Sequence, residues 1–247
     1  MFYSPGMTEF SFGRHEIAEI CQILNTEVPK NIGDLLYSFR FRNPLPQRIL
    51  DTAPSDREWV IFSEGRAKYR FKLAKINRIL PNPNLVNIKI LDATPEIILK
   101  HTQNDEQALL AILRYNRLID IFLGITVYSL QNHLRTTVKE IGQIEIDEVY
   151  VGVDKHGRQF IVPVQAKGGK DQLSVVQTSQ DIAFCEEKYP DLICKSVSAQ
   201  FINDTEIALF DLIIDDEMIK IVDEKHYVLV GKDQLSLGEL SRIKGSY

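Results

Sequence analysis

Two neighbouring segments of the chain carry acidic, amide and ammonium side chains at alternate positions. Glu145 and Asp147 lie two residues apart in a largely apolar segment, and Gln165 and Lys167 are spaced in the same way in the next one. Successive side chains of a β-strand point to opposite faces, so each pair shares one face of its strand. The polar residues 154–157 between the segments predict a hairpin that brings the two pairs together.

Oxygen ligands beside an ammonium group form a place for a divalent cation and an attacking water. Magnesium in proteins is bound by one or two carboxylates, keeps several waters and takes further ligands from a substrate phosphate. Asp147 continues on the same face as Val149 and Val151, at the end of an apolar stripe where a solvated side chain is not expected. The residues therefore predict a Mg²⁺ site, in which Mn²⁺ would substitute.

The order of an acidic residue, a hairpin and a two-position motif that ends in Lys resembles the PD-(D/E)XK nuclease superfamily, which includes many type II restriction endonucleases. The resemblance covers residues 143–188. It matches Asp147 to the first acidic residue of the motif and Lys167 to its lysine. Gln165 stands where Asp or Glu is usual. An amide oxygen binds a metal without contributing charge, so the site is either a tolerated variant or a weakened one.

The resemblance implies a Mg²⁺-dependent endonuclease that hydrolyses phosphodiester bonds in double-stranded DNA, of the type II restriction kind. Asp147, Gln165 and the Ala166 carbonyl would hold the metal, with Glu145 as a second carboxylate. Lys167 would position the attacking water and offset charge that develops on the phosphate. Cleavage of a symmetric site would favour a homodimer.

Glu106 is a further candidate metal ligand. Asn104 is placed to cap a helix that begins near Glu106, and the family often has another acidic group on the helix before its hairpin. An acidic residue in the first turn also stabilises the helix dipole, which is a purely structural explanation.

Two other functions fit the same residues. One is a DNA-binding regulator or interaction protein whose nuclease-like domain has lost its chemistry, with Gln165 as the lesion. The other is a nuclease-like fold that acts on RNA.

The first hundred residues carry more positive charge than the rest of the chain. They hold 14 basic and 11 acidic residues, against 15 and 23 in the remainder. Four basic side chains alternate with apolar ones along one segment, Arg66, Lys68, Arg70 and Lys72. This segment is either a phosphate-binding strand or an edge strand with a solvated face. Gln177, on the helix after the motif, is a further candidate phosphate contact.

Helical spacing in residues 14–24 and 32–39 precedes a predicted hairpin at residues 59–73. This order resembles a winged helix, so residues 1–100 are expected to form a basic DNA-binding module and residues 101–247 the nuclease domain. The predicted class is α+β, a mixed sheet flanked by helices as in restriction endonucleases. Helices are also expected at residues 127–141 and 173–189, and a last hairpin with its turn at residues 223–226.

Composition excludes several other classes. The chain is 44% hydrophobic and 26% charged, with no apolar run long enough for a membrane span and no basic, then apolar, start typical of a secretory signal. A cytoplasmic location without membrane association is therefore expected. The three cysteines form no CxxC pair and indicate neither a zinc site nor a disulfide framework.

Overall fold

The structure is a computed structural model that describes residues 3–41, 43–75, 79–101, 106–168, 175–203, 205–215, 218–236 and 238–239. Helices and strands follow one another in short runs, and the strands form one sheet of three and one of eight. The predicted α+β class is therefore confirmed, with a mixed sheet flanked by helices. Within the described residues, none of the helices combines the length and the apolar character that crossing a membrane requires.

The N-terminal part is a three-stranded antiparallel sheet covered by three helices. Its elements are β1 (Glu9–Gly13), α1 (Arg14–Ile23), α2 (Ile32–Phe41), α3 (Gln47–Leu50), β2 (Arg57–Ser63) and β3 (Lys68–Lys75). The strand order is β1-β3-β2. Trp59, Tyr69 and Leu73 pack with Phe12 and Leu36 in its core. The helices predicted from residues 14 and 32 and the hairpin that follows them are confirmed.

The basic segment lies in the middle of this sheet. Strand β3 pairs with β1 on one side and with β2 on the other, so it is not an edge strand. Arg66 precedes the strand and belongs to the turn, where Ala67 has a φ of 60°. Protection of a sheet edge therefore does not explain the basic residues of β3.

The larger sheet takes up the rest of the chain. Its strands are β4 (Asn87–Leu91), β5 (Thr126–Val138), β6 (Gly142–Val153), β7 (Gln159–Lys167), β8 (Ile193–Cys194), β9 (Ser196–Phe201), β10 (Glu206–Asp215) and β11 (Met218–Val230). Its helices are α4 (Glu96–His101), α5 (Glu106–Tyr115), α6 (Leu118–Leu123) and α7 (Val175–Lys188). The strand order is β4-β11-β10-β9-β7-β6-β5, and β8 pairs with β7. Strand β4, from a segment that the sequence assigned to the N-terminal module, pairs with β11 in this sheet.

Strands β5, β6 and β7 form an antiparallel meander, and α7 then connects β7 to β9, which runs parallel to it. Helices α5 and α6 pack on the face that carries Val162 and Val164 of β7. Helix α7 packs on the opposite face, where Phe184 and Cys185 contact Ile161. The centre of the sheet is therefore covered on both sides, by α5 and α6 on one and by α7 on the other.

The prediction of a helix at residues 127–141 is wrong, because this segment forms most of β5. The segment is rich in β-branched residues, which favour strands. A register shift between Ser129 and Gln131 interrupts the alternation of side chains and leaves apolar residues at a spacing that imitates a helix. Gly124, at a φ of 67°, ends α6 before the strand begins.

Two further expectations change. The hairpin turn predicted at residues 223–226 is wrong, because β11 runs through them in register with β10 and buries His226. The helix predicted from residue 173 is described from Val175 to Lys188, so its predicted start lies outside the described residues.

A buried ion pair attaches α5 to the meander. Glu148 of β6 is fully buried, and Arg114 of α5 donates to both of its carboxylate oxygens at 3.1 and 3.0 Å. The Ser129 hydroxyl of β5 donates to the same carboxylate at 2.7 Å. A buried carboxylate is stable only with such partners, so this group fixes the position of α5 against β5 and β6.

Replacing Arg114 by Ala should lower the free energy of unfolding by about 3 kcal/mol, because it leaves the Glu148 carboxylate buried without its cation. Chemical denaturation with a two-state fit measures the change. Arg135→Ala is the matched control, since Arg135 pairs with Glu145 on the surface and such pairs contribute less than about 1 kcal/mol. Equal losses in the two variants would contradict the role given to Arg114.

Candidate active site

The candidate site lies where β6 and β7 separate. Glu148 and Val164 are the last paired residues of the two strands at this end. Just beyond them, the Ala166 amide donates to Asp147 Oδ2 at 2.8 Å. The Ala166 amide thus donates to the Asp147 carboxylate instead of to a main-chain carbonyl of β6. The next residue, Glu148, faces α5. Alternation along β6 therefore separates the structural carboxylate from the candidate catalytic one.

Gln165 meets a residue that the sequence analysis missed. Its Nε2 donates to Asp181 Oδ1 of α7 at 3.1 Å and to the Glu145 carbonyl at 3.3 Å. Gln165 and Asp181 are both almost fully buried. Gln165 Oε1 and Asp181 Oδ2 have no hydrogen-bond partner among the described residues. A carboxylate of α7 therefore adjoins the position where the resemblance expects a charged residue.

A signal for Asp181 was present in the sequence. It lies in one helical stripe with the buried residues Thr178 and Cys185, so helical periodicity places it on the core face of α7. An acidic residue on a core face requires a partner or a function.

Lys167 and Glu106 form an ion pair across the site. Lys167 is the last residue of β7, and its Nζ lies 3.0 Å from Glu106 Oε1 at the start of α5. The Lys167 side chain is only 13% exposed, whereas that of Glu106 is 38% exposed. Glu106 therefore contacts the candidate catalytic lysine. Its predicted cap, Asn104, lies outside the described residues.

The Glu145 carboxylate has other partners. Its side chain is 38% exposed and lies 3.3 Å from Arg135 and 3.9 Å from His133 Nδ1. Only its main-chain carbonyl contacts Gln165. Asp147, Gln165 and Lys167 thus lie in one group with Glu106. The Glu145 side chain lies instead at the surface, beside residues of β5.

Burial makes the two inner carboxylates hard to ionise. Burial raises the pKa of Asp147, although the Ala166 amide and the Lys167 ammonium lower it in part. Burial also raises the pKa of Asp181 well above its usual value; Gln165 opposes the rise and the charge of Asp147 adds to it. Two carboxyl groups that interact through their charges and have raised pKa values favour a bound cation, which would displace their protons.

The oxygen atoms of this site fit a hard cation. Among the described residues, no group of three or more His, Cys, Asp or Glu side chains is arranged to hold a metal. The candidate set instead combines two carboxylates, Asp147 and Asp181, with the neutral Gln165 side chain and the Ala166 carbonyl. Magnesium requires only one or two carboxylates, and the two unpartnered oxygens are free to act as ligands.

The predicted DNA-binding residues are not all equivalent. Arg70 pairs with Glu64 at 3.2 Å and with Glu9 at 3.7 Å, so its charge is partly compensated. Arg66 and Lys68 are exposed. Arg66 and Gln177 line one cleft between the N-terminal part and the larger sheet, and Arg70 and Lys72 line a second one.

Comparison with protein-family models, curated proteins and solved structures gives no match for this chain.

Asp181→Asn should stabilise the metal-free protein at pH 8 by about 1–3 kcal/mol, because it removes a carboxyl group whose charged form is disfavoured by burial. The folded-state pKa of Asp181 is raised. The contribution of Asp181 to the free energy of unfolding is therefore most favourable below the pKa that this residue has in the unfolded state. It is lost as the pH rises through the pKa of Asp181 in the folded state. The advantage of the variant should therefore shrink as the pH falls, which thermal unfolding between pH 4 and pH 8 measures.

Asp191→Asn is the control for this experiment, since Asp191 is exposed and its replacement should change stability by less than about 0.5 kcal/mol. Added Mn²⁺ should stabilise the wild type more than Asp181→Asn, because a ligand that binds the folded state raises its stability. A pH-independent difference between wild type and Asp181→Asn would contradict a buried ionisable carboxyl group.

Proposed function

We propose that this protein is a Mg²⁺-dependent DNA endonuclease of the type II restriction kind. The observation that carries the proposal is the cluster of Asp147, Gln165 and Asp181, with two unpartnered buried oxygens, beside the Lys167 ammonium. The two carboxylates and the unpartnered oxygens are suited to bind a metal ion, and the neighbouring lysine is suited to contact a phosphate group.

The order of elements supports the same proposal. The resemblance requires a helix, antiparallel strands, a second helix and a further strand, and α5, β5–β7, α7 and β9 follow in that order. The three helices and the hairpin of the N-terminal part are in keeping with a winged-helix-like DNA-binding module. We infer from these features a restriction-endonuclease-like core with an N-terminal module that contacts double-stranded DNA.

Each residue of the site has a role in this proposal. Asp147, Asp181, the Gln165 side chain and the Ala166 carbonyl would hold Mg²⁺, or Mn²⁺ in its place. The bound ion supplies Lewis-acid stabilisation of the phosphate and lowers the pKa of a bound water. Lys167 holds a positive charge where the phosphate gains negative charge. Glu106 fixes the Lys167 side chain at the end of β7.

Cleavage of both strands at a symmetric site favours a homodimer, and the cytoplasm is the expected location.

A DNA-binding regulator is the second candidate function. Gln165 favours it, because an amide in place of a carboxylate removes one negative charge from the metal ligands. Asp181 opposes it, since it supplies a carboxylate in contact with that amide.

Asp147→Ala and Lys167→Ala should each reduce cleavage of plasmid DNA in Mg²⁺ by about 100-fold or more, since these groups act on the transition state. Binding of the DNA should change by only a few-fold. Gel analysis of the products and mapping of discrete ends measure cleavage, and chelator should abolish it. Lys155→Ala, in the exposed turn at the far end of the hairpin, is the control and should cleave normally. Full activity of Lys167→Ala would refute its assignment, and no cleavage by the wild type would favour the regulator.

Gln165→Glu should bind Mn²⁺ several-fold more tightly than the wild type, because it adds a charged oxygen at the same reach. It should also unfold at a lower temperature without metal, since a third carboxyl group then lies beside Asp147 and Asp181. Calorimetric titration with DNA present measures the affinity, and Asp147→Ala should weaken it. Equal affinities of wild type and Asp147→Ala would place the metal elsewhere.

A further inference from the structure

The turn of the N-terminal hairpin lies close to the turn between β5 and β6. A Cβ atom on Gly142, whose φ is 97°, would lie 3.4 Å from Ser63 Oγ and 3.5 Å from the Gly65 carbonyl. A side chain at position 142 would thus be in ordinary van der Waals contact with the hairpin turn, and only its positive φ favours glycine. The two parts of the chain approach each other here, and two clefts lie between them.

The first cleft, of about 740 Å³, is lined by cations from both parts. These are Arg14, Arg40 and Arg66 from the N-terminal part, and Arg135 and Lys139 from β5 and the turn after it. Two acidic residues, Glu140 and Glu145, line it as well, and Glu145 pairs with Arg135. The lining therefore has an excess of three positive charges.

The second cleft, of about 440 Å³, is lined by Arg57, Arg70, Lys72 and Lys75. No acidic residue lines it in the described parts of the chain. Ser179 of α7 lines this cleft, while Gln177 and Gln180 line the first one. Both clefts thus border the helix that carries Asp181.

This charge distribution is opposite to that of the whole protein. The chain has a net charge of −5, yet nine of its cations line the two clefts with only two carboxylates. Like charges gathered in a cleft repel one another and destabilise the folded state. A polyanion in the clefts removes this repulsion and releases counterions from its phosphates.

We propose that the first cleft holds the phosphodiester backbone of one strand of the DNA substrate, between Arg66 on the N-terminal turn and Arg135 on β5. This inference rests on the proposed function for its substrate class. The volume of the cleft is within the range of pockets that enclose a small ligand, about 300–1,000 Å³, so the backbone of a few nucleotides of one strand fits in it while the rest of the duplex stays outside. The cleft borders α7, the helix that carries Asp181, and the second cleft borders the same helix.

The test is the binding of a fluorescein-labelled 12-nucleotide single strand, followed by anisotropy in EDTA, where no metal-dependent cleavage takes place. Arg66→Ala/Arg135→Ala should raise the Kd about tenfold or more at 0.1 M salt and reduce the slope of log K against log salt by about 1.4, which is about 0.7 for each lost phosphate contact. Arg66→Gln/Arg135→Gln keeps most of the side-chain volume and should have the same effect. Both arginines are exposed, and circular dichroism checks the fold of each variant.

Lys155→Ala/Arg158→Ala is the matched control, because these two cations lie in the turn at the other end of the β6–β7 hairpin. It should change the Kd less than twofold. The 12-base-pair duplex should bind at least as tightly as the single strand, and 1 mM inorganic phosphate or thymidine monophosphate should displace neither. Unchanged binding by the Arg66/Arg135 variants, binding of duplex alone, displacement by the mononucleotide, or tighter binding of an RNA strand would each overturn the proposal.

The outcome is independent of the nuclease chemistry. If the wild type cleaves DNA in Mg²⁺ while the Arg66/Arg135 variants bind and cleave normally, the endonuclease stands and the cleft assignment fails. If the wild type never cleaves DNA but its binding of the single strand depends on both arginines, the cleft assignment stands and the endonuclease fails.

Discussion

The buried pair of Glu148 and Arg114 is the interaction on which the geometry of the candidate site depends. It attaches α5 to the middle of β6, and the first residue of α5, as the structure describes it, is Glu106. Because α5 is fixed in this way, Glu106 reaches Lys167 at the end of β7. On the other side of the same strand, Asp147 accepts a hydrogen bond from the Ala166 amide, and the Lys167 charge offsets its burial only in part. One strand therefore places two adjacent carboxylates in opposite electrostatic surroundings.

The arrangement of charges explains why position 165 carries a neutral side chain. Asp147 and Asp181 already interact through their charges, and burial raises the pKa of both. A third carboxylate between them would add repulsion in a region of low dielectric constant, whereas the Gln165 amide donates a hydrogen bond to Asp181. The site thus has two inner carboxylates, as many as magnesium commonly uses. Its unpartnered oxygens destabilise the fold in the absence of a cation, which is a common property of functional sites.

The distribution of charge between the two parts of the chain has a similar logic. Positive residues of the N-terminal part face the larger sheet across two clefts, and negative residues predominate beyond residue 100. A polyanion bound in the clefts would neutralise these cations. Its phosphate could approach the carboxylates of the candidate site only after a metal ion has neutralised their charge. The central place of β3 in its sheet agrees with this, since its basic face is not needed to protect an edge.

The sequence by itself determined the mixed class, the β6–β7 hairpin and the first two helices, because alternation and helical spacing are local properties of the chain. It also placed Asp147 near the segment of Gln165, Ala166 and Lys167, where the Ala166 amide donates to it, since the hairpin turn sets the register of the strands that lead there. Tertiary structure alone decided that β5 is a strand, because its bulge imitates helical spacing, and that β11 continues through its polar residues, because β10 pairs with it. It also decided that Asp181 joins the site and the Glu145 carboxylate does not. Helical periodicity places Asp181 on the core face of α7, but the residues that it contacts there depend on how α7 packs and on how β6 leaves β7.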